Sequence, residues 1–189
     1  MPINFNIEKL REEHGCSTYL ETGLYDPNED ISIKKALAAG FEKVFSIEIR
    51  KGFVIMGNDM FKNDVQTGRC SIINDDSTNL KTYLSDAAFK NKTIFFLDAH
   101  VDHHLIQNYN KICPLFDELE AIGSLERKDN IILVDDLRII TTPFPWGEQS
   151  YGDIDFLSQI KAKILSINKD YKFKTLDGHV EDDVLLAYI

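Results

Sequence analysis

The chain is poor in cysteine. Its 189 residues hold three, Cys16, Cys70 and Cys113, far apart and with no C-x-x-C pair. An odd, dispersed set excludes a disulfide framework and a zinc ribbon. Proline and glycine are scarce too, at 5 and 10 residues, which excludes a collagen-like or low-complexity chain. Basic residues are outnumbered, with 21 Lys+Arg against 31 Asp+Glu and a formal net charge of −10. Such a surface repels phosphates rather than releasing their counterions, so binding to nucleic-acid backbones is not expected. No stretch approaches the ~18–20 apolar residues of a membrane span, and the first residues carry no apolar run of signal-peptide length. The expectation is a reduced, cytoplasmic protein with no membrane association. A G-x-x-x-x-G-K-S/T loop, a G-x-S-x-G elbow and a G-x-G-x-x-G fingerprint are also lacking. Walker-type NTPases, the common serine hydrolases and typical nicotinamide enzymes are thereby set aside.

What remains is a globular composition, 43% hydrophobic, of a length that suits one well-buried core, so a single domain is expected over residues 1–189. Strand-like runs occur at Ser17–Glu21, Lys43–Ile49, Cys70–Asn74, Thr93–Asp98 and Asn130–Asp135. Three are apolar nearly throughout, as in strands covered on both faces. Helical patterns alternate with them. Ser32–Ala39 ends at Gly40, Ser77 or Thr78 heads a helix with Leu80, Tyr83, Leu84, Ala87 and Ala88 on one face, and Pro114 opens one carrying Leu115, Leu119 and Ile122. Leu157, Ile160 and Ile164 mark another helix, while after Arg50 the glycines Gly52 and Gly57 weaken a helical pattern of Phe53, Met56 and Met60. Two strand-like runs around Asp177-Gly178 close the chain as a hairpin. The order predicts an α/β fold, a doubly wound, Rossmann-like seven-stranded sheet, mostly parallel with an antiparallel last strand.

In open α/β sheets ligands bind at the carboxyl ends of the strands. The five strand ends here read Glu21-Thr22-Gly23, Glu48, Asp75-Asp76-Ser77, Asp98-Ala99-His100 and Asp135-Asp136. Every one carries a carboxylate. Crowded, unpaired carboxylates repel one another, so a sheet with a purely structural role has no use for this arrangement.

The series YLETG, VFSIEI, NDDS, FFLDAH and ILVDD, in this order and spacing, resembles the class I S-adenosylmethionine-dependent methyltransferases. It looks closest to small bacterial or phage-type members with an E-T-G first motif and an L-D-A-H fourth. The resemblance runs from about Thr18 to Ile189 and includes the closing hairpin. It implies that Glu21, Thr22 and Gly23 form the first loop, where glycine lets the backbone approach the methionine part of the cofactor. It further implies that Glu48 binds both ribose hydroxyls, that Asp76 and Ser77 lie beside the adenine, and that Asp98 sits near the sulfonium and the acceptor. After Gly23 the loop runs LYDPNEDIS, with no second glycine and a few extra residues.

Asp98, Asp135 and Asp136 are similar to the aspartates with which O-methyltransferases of the catechol type hold Mg²⁺ or another hard divalent ion. Carboxylate oxygens suit such a cation, which binds the acceptor hydroxyl and lowers its pKa. His100, just after the strand end, is the second candidate for generating the nucleophile, as a neutral imidazole accepting the hydroxyl proton. Two further readings stay open. The cluster from Asp98 to His104, with Asp102, His103 and His104, fits a metal-dependent hydrolase or phosphoesterase, and the altered first loop fits a methyltransferase-like binding module without catalysis. The loops Val101–Cys113 and Arg138–Tyr151, the latter with Pro143, Phe144, Pro145, Trp146 and Gly147, are candidate walls of an acceptor pocket. The expected partners are S-adenosylmethionine and a small-molecule or sugar acceptor, and a homodimer stays open.

Overall fold

Continuous apolar runs become the middle of a sheet because only strands covered on both faces can bury every side chain. In the computed structural model, which describes residues 4–29, 32–100, 113–140 and 155–189, β1 (Thr18–Thr22), β4 (Thr93–Leu97) and β5 (Ile131–Val134) are buried at every position. β2 (Lys43–Glu48) is buried at all but its first residue. β3 (Cys70–Asn74) and β6 (Lys172–Leu176) are more exposed, as edge strands, and β7 (Val184–Tyr188) lies inside. The sheet order is β3-β2-β1-β4-β5-β7-β6. Pairs from β3 to β5 are parallel, and β7 runs antiparallel to both β5 and β6. The seven-stranded, mostly parallel sheet with its antiparallel last strand is the predicted one.

Side chains alternate across the strands, so each strand feeds two cores. On one face Leu20, Phe45, Phe95, Leu97, Ile132 and Val134 pack under α5 (Leu80–Tyr83), α6 (Leu115–Gly123) and α8 (Phe156–Ile167). On the other, Tyr19, Val44, Ile94, Phe96 and Leu133 pack under α1 (Ile7–His14) and α2 (Ser32–Ala38). The strand order reverses between β1 and β4, so a crevice for ligand is expected beyond their carboxyl ends.

Several helices differ from their sequence patterns. The pattern after Ser77 is not one helix: a 3₁₀ turn at Ser77–Asn79 leads into four-residue α5, and a second turn at Ala87–Lys90 follows. Its cap is Asp76, whose carboxylate accepts from the Thr78 N–H at 2.9 Å, rather than Ser77 or Thr78. After Arg50 a helix does form, α3 (Lys51–Met60), but Val54 and Gly57 face inward while Met56 and Met60 are exposed. A Cβ at Gly57 would sit 2.9 Å from both Ile72 Cδ1 and Leu24 Cδ2, so the glycine is what lets the helix approach the sheet. A short α4 (Lys62–Gln66) follows. The eight-residue α1 has no counterpart in the sequence reading. Asn6 caps it by accepting from Lys9 N–H, and Gly15 ends it in the left-handed region. Pro114 stands immediately before α6, and α7 is the single turn Leu137–Ile140. No helix among the described residues is long and apolar enough to cross a membrane.

Candidate functional site

The carboxyl edge of the sheet gathers most of the residues singled out above. At the end of β1, Gly23 has φ +87° and its N–H continues the ladder to Ile47 O at 2.8 Å. A Cβ there would lie 2.4 Å from the Asp98 carbonyl oxygen, so the end of β4 presses on this turn and only glycine fits. Asp98 N–H in turn donates to Thr22 O at 3.1 Å. Glu48 closes the neighbouring strand. Its carboxylate, 5% exposed, accepts from Tyr25 N–H at 3.0 Å and Arg50 N–H at 2.7 Å, which fastens the long first loop to the end of β2. Farther along that loop Asp26 makes a local turn with Asn28; Asp30 and Ile31 lie outside the described residues.

Glu21, the last but one residue of β1, is enclosed within the fold. It is fully buried and accepts hydrogen bonds from Tyr19 Oη (3.1 Å), Ser46 Oγ (2.8 Å) and Ser32 Oγ. Burial pushes its carboxyl up to about 7, against the pull of those hydroxyls. After β3, Asp75 accepts from Tyr83 Oη at 2.6 Å and from Asn79 Nδ2 at 2.9 Å, and the Tyr83 bond holds its carboxyl below the usual range. Asp76 is engaged as the cap described above, and Ser77 is buried.

A second cluster forms where β4, β5 and β7 end. His100 Nε2 lies 2.6 Å from Asp136 Oδ2 and 3.7 Å from Asp98 Oδ1. Arg138 Nη1 is 2.5 Å from Asp136 Oδ1 and also pairs with Asp183, whose other oxygen accepts the Arg138 N–H at 3.0 Å. Asp136 adopts φ +60°, a left-handed turn that Asp tolerates better than most residues. Burial, then the Asp135 charge, pushes the Asp98 carboxyl well up, and burial with Asp136 takes Asp135 to about 6. Burial opposes ionisation of Asp136, but His100 and Arg138 hold its carboxyl below the usual range.

Two groups have donor atoms close enough to share an ion: Asp98 with His100 and Asp136, and Asp135 with Asp136 and Asp183, each within 4.8 Å. The expected ligand set of Asp98, Asp135 and Asp136 is therefore not one of these groups. Both aspartates stand in the turn after β5, Asp136 at φ +60°, and the Asp135 charge still acts on Asp98. His100 stands with Asp98 and Asp136 in the first group. The Arg138 guanidinium pairs with Asp136, which belongs to both groups, and with Asp183 of the second, so the first is the less engaged by it.

Two buried acids of the edge have no part in the sequence reading. Asp183 stands just before β7, and the strand-like run after it drew attention away from its acid. Glu118 lies on α6 between Leu115 and Leu119; an acid inside an apolar helical stripe was the available signal. The hydroxyls of Ser77 and Thr22 stabilise its charge, yet burial still pushes its carboxyl up to about 7. Asp102, His103 and His104, and the loop with Pro143, Phe144, Pro145, Trp146 and Gly147, lie outside the described residues.

Comparison with solved structures follows this geometry. An O-methyltransferase from Bacillus cereus, in complex with S-adenosylhomocysteine, superposes with a TM-score of 0.62 at 14% identity, over 97% of this chain and 78% of that one. The O-methyltransferase TomG from Streptomyces achromogenes, in complex with S-adenosylmethionine, gives 0.56 at 15% identity, over 97% and 77%. The fold is that of these methyltransferases. No protein-family model matches the chain, and no curated protein matches it in sequence.

Proposed function

We propose that this protein is an S-adenosylmethionine-dependent methyltransferase that methylates an oxygen of a small molecule or sugar. The observation that carries this reading is the placement of Glu48. It is a carboxylate at the end of β2, beside the glycine turn ending β1 and one strand from the reversal of strand order, in a fold whose similar solved structures hold S-adenosylmethionine or S-adenosylhomocysteine.

Glu48 would take the ribose hydroxyls, and Gly23 and Thr22 would line the cofactor's methionine part. Asp76 and Ser77 would border its adenine. Asp98 would face the reacting centre. Transfer is an in-line displacement in which the acceptor oxygen attacks the sulfonium methyl and S-adenosylhomocysteine leaves. Much of the rate would come from holding the two at near-attack distance. His100, hydrogen-bonded to Asp136, would receive the acceptor's proton, while His100 and Arg138 together hold the Asp136 carboxyl below the usual range. Asp98, His100 and Asp136 also fit a divalent cation, which when bound lowers the pKa of a hydroxyl.

The competing reading is a metal-dependent hydrolase. The same Asp98–His100–Asp136 group favours it, since two carboxylates and an imidazole also suit a catalytic metal. Two substitutions separate them. In the methyltransferase, Glu48→Ala weakens S-adenosylhomocysteine binding by about 1–3 kcal/mol while His100→Ala leaves it intact. In the hydrolase, the parent binds no S-adenosylhomocysteine, Glu48→Ala leaves activity unchanged and His100→Ala removes the metal.

A further inference from the structure

The inner face of α6 carries an acid where a hydrocarbon would be cheaper. Glu118 shares its stripe with Leu115, Leu119 and Ile122, and is 1% exposed. Its Oε1 has no hydrogen-bond partner among the described residues. A buried carboxyl oxygen without a partner carries the full penalty of its lost hydration, which a leucine or methionine there would not incur.

The surroundings give the group a direction. The groups that stabilise its charge are Ser77 after β3, Thr22 at the end of β1 and His100 after β4. All three belong to the carboxyl edge, and none to the hydrocarbon beneath α6. Glu118 therefore faces the edge from below, between the turns after β1 and β3. Between those two strands lies β2, ending in Glu48. A nucleoside lying from β1 to β3 across this edge passes over Glu118.

We propose that Glu118 binds the cofactor, its Oε1 accepting a hydrogen bond from an N–H or O–H of the nucleoside part. This rests on the methyltransferase reading above. Ser77 and Thr22 hold the carboxylate in place, and the ligand supplies the donor that the protein leaves out. The buried acid is then a component of the binding site that the strand-end motifs do not contain, contributed by a helix.

The test is calorimetric titration of S-adenosylhomocysteine into the full chain, as parent, Glu118→Met and Glu118→Gln, with the melting temperature of each recorded. Met matches the volume and removes both acceptors. The expected result is a melting temperature equal to or above the parent's with affinity lower by about tenfold or more, and a smaller loss for Gln, which keeps one acceptor. A purely structural acid would instead change the melting temperature and leave affinity alone. Parent-like affinity in a folded Met variant overturns the proposal while leaving the methyltransferase reading intact. If Met does not fold, Gln decides: unchanged affinity overturns the proposal and a clear loss supports it. A parent that binds no S-adenosylhomocysteine overturns both.

Discussion

Replacing Glu21 by glutamine isolates the energetic effect of one buried acid at the heart of the sheet. The folded protein keeps the Glu21 proton up to about pH 7, whereas the unfolded chain releases it near the ordinary value of 4.5. Between those values folding takes up a proton, so stability falls as pH rises through the window. Each pH unit across it is worth ~1.4 kcal/mol, giving about 3 kcal/mol lost by pH 8 relative to pH 4.5. Glutamine carries no charge and keeps most of the hydrogen bonding, because its amide oxygen accepts from one or two of the Tyr19, Ser32 and Ser46 hydroxyls while its NH₂ donates to another. Urea unfolding of parent and Glu21→Gln, at steps from pH 5 to 8.5, reads the difference. Glu118 and Asp135 also have raised carboxyls and tilt both curves alike, while Asp98 is raised in part by the Glu21 charge, so the gap between the curves reports Glu21 together with its effect on Asp98. The gap is expected to move in favour of the glutamine variant by about 2–3 kcal/mol as pH rises to 8. Parallel curves would refute the argument that burial, rather than hydrogen bonding, sets the proton affinity of this group.

Three other outcomes follow from the same geometry. Gly23→Ala forces a Cβ against the Asp98 carbonyl at a positive φ, and is expected to lower stability by about 2–4 kcal/mol in thermal unfolding. Arg138→Met leaves Asp136 and Asp183 buried without the guanidinium they share, with an expected loss of about 3 kcal/mol in urea unfolding at pH 8. In Mn²⁺ titrations His100→Ala is expected to weaken metal binding at least tenfold while Asp135→Asn has little effect; the reverse order would restore Asp135 as a ligand.

The sheet was legible because its strands are apolar on both faces, and a run such as Thr93–Leu97 admits few other structures. The closing hairpin was legible from its turn. Helices were read less well where packing overrides periodicity. The regular spacing from Leu80 to Ala88 breaks into turns capped by Asp76 and Asp86. Gly57, which weakened a helical reading, is the residue by which α3 meets the sheet. Within the site, naming the strand ends found the acids but not their directions. The turn after β5 brings both Asp135 and Asp136 to Asp183 and only Asp136 to His100, which no motif states. Glu21 is enclosed by the hydroxyls of Tyr19, Ser32 and Ser46, which its strand-end motif does not state. Glu118 was hidden for a different reason: a pattern searched for its hydrocarbons passes over the acid among them.

The central claim is that the edge formed by Gly23, Glu48 and Asp98 holds S-adenosylmethionine. The measurement that tests it most directly is calorimetric titration of S-adenosylhomocysteine into the purified chain, with Mg²⁺ and again with EDTA. Micromolar, one-to-one binding in either buffer is the predicted result. An absence of binding in both would contradict the claim and turn attention to the Asp98–His100–Asp136 group as the metal centre of a hydrolase.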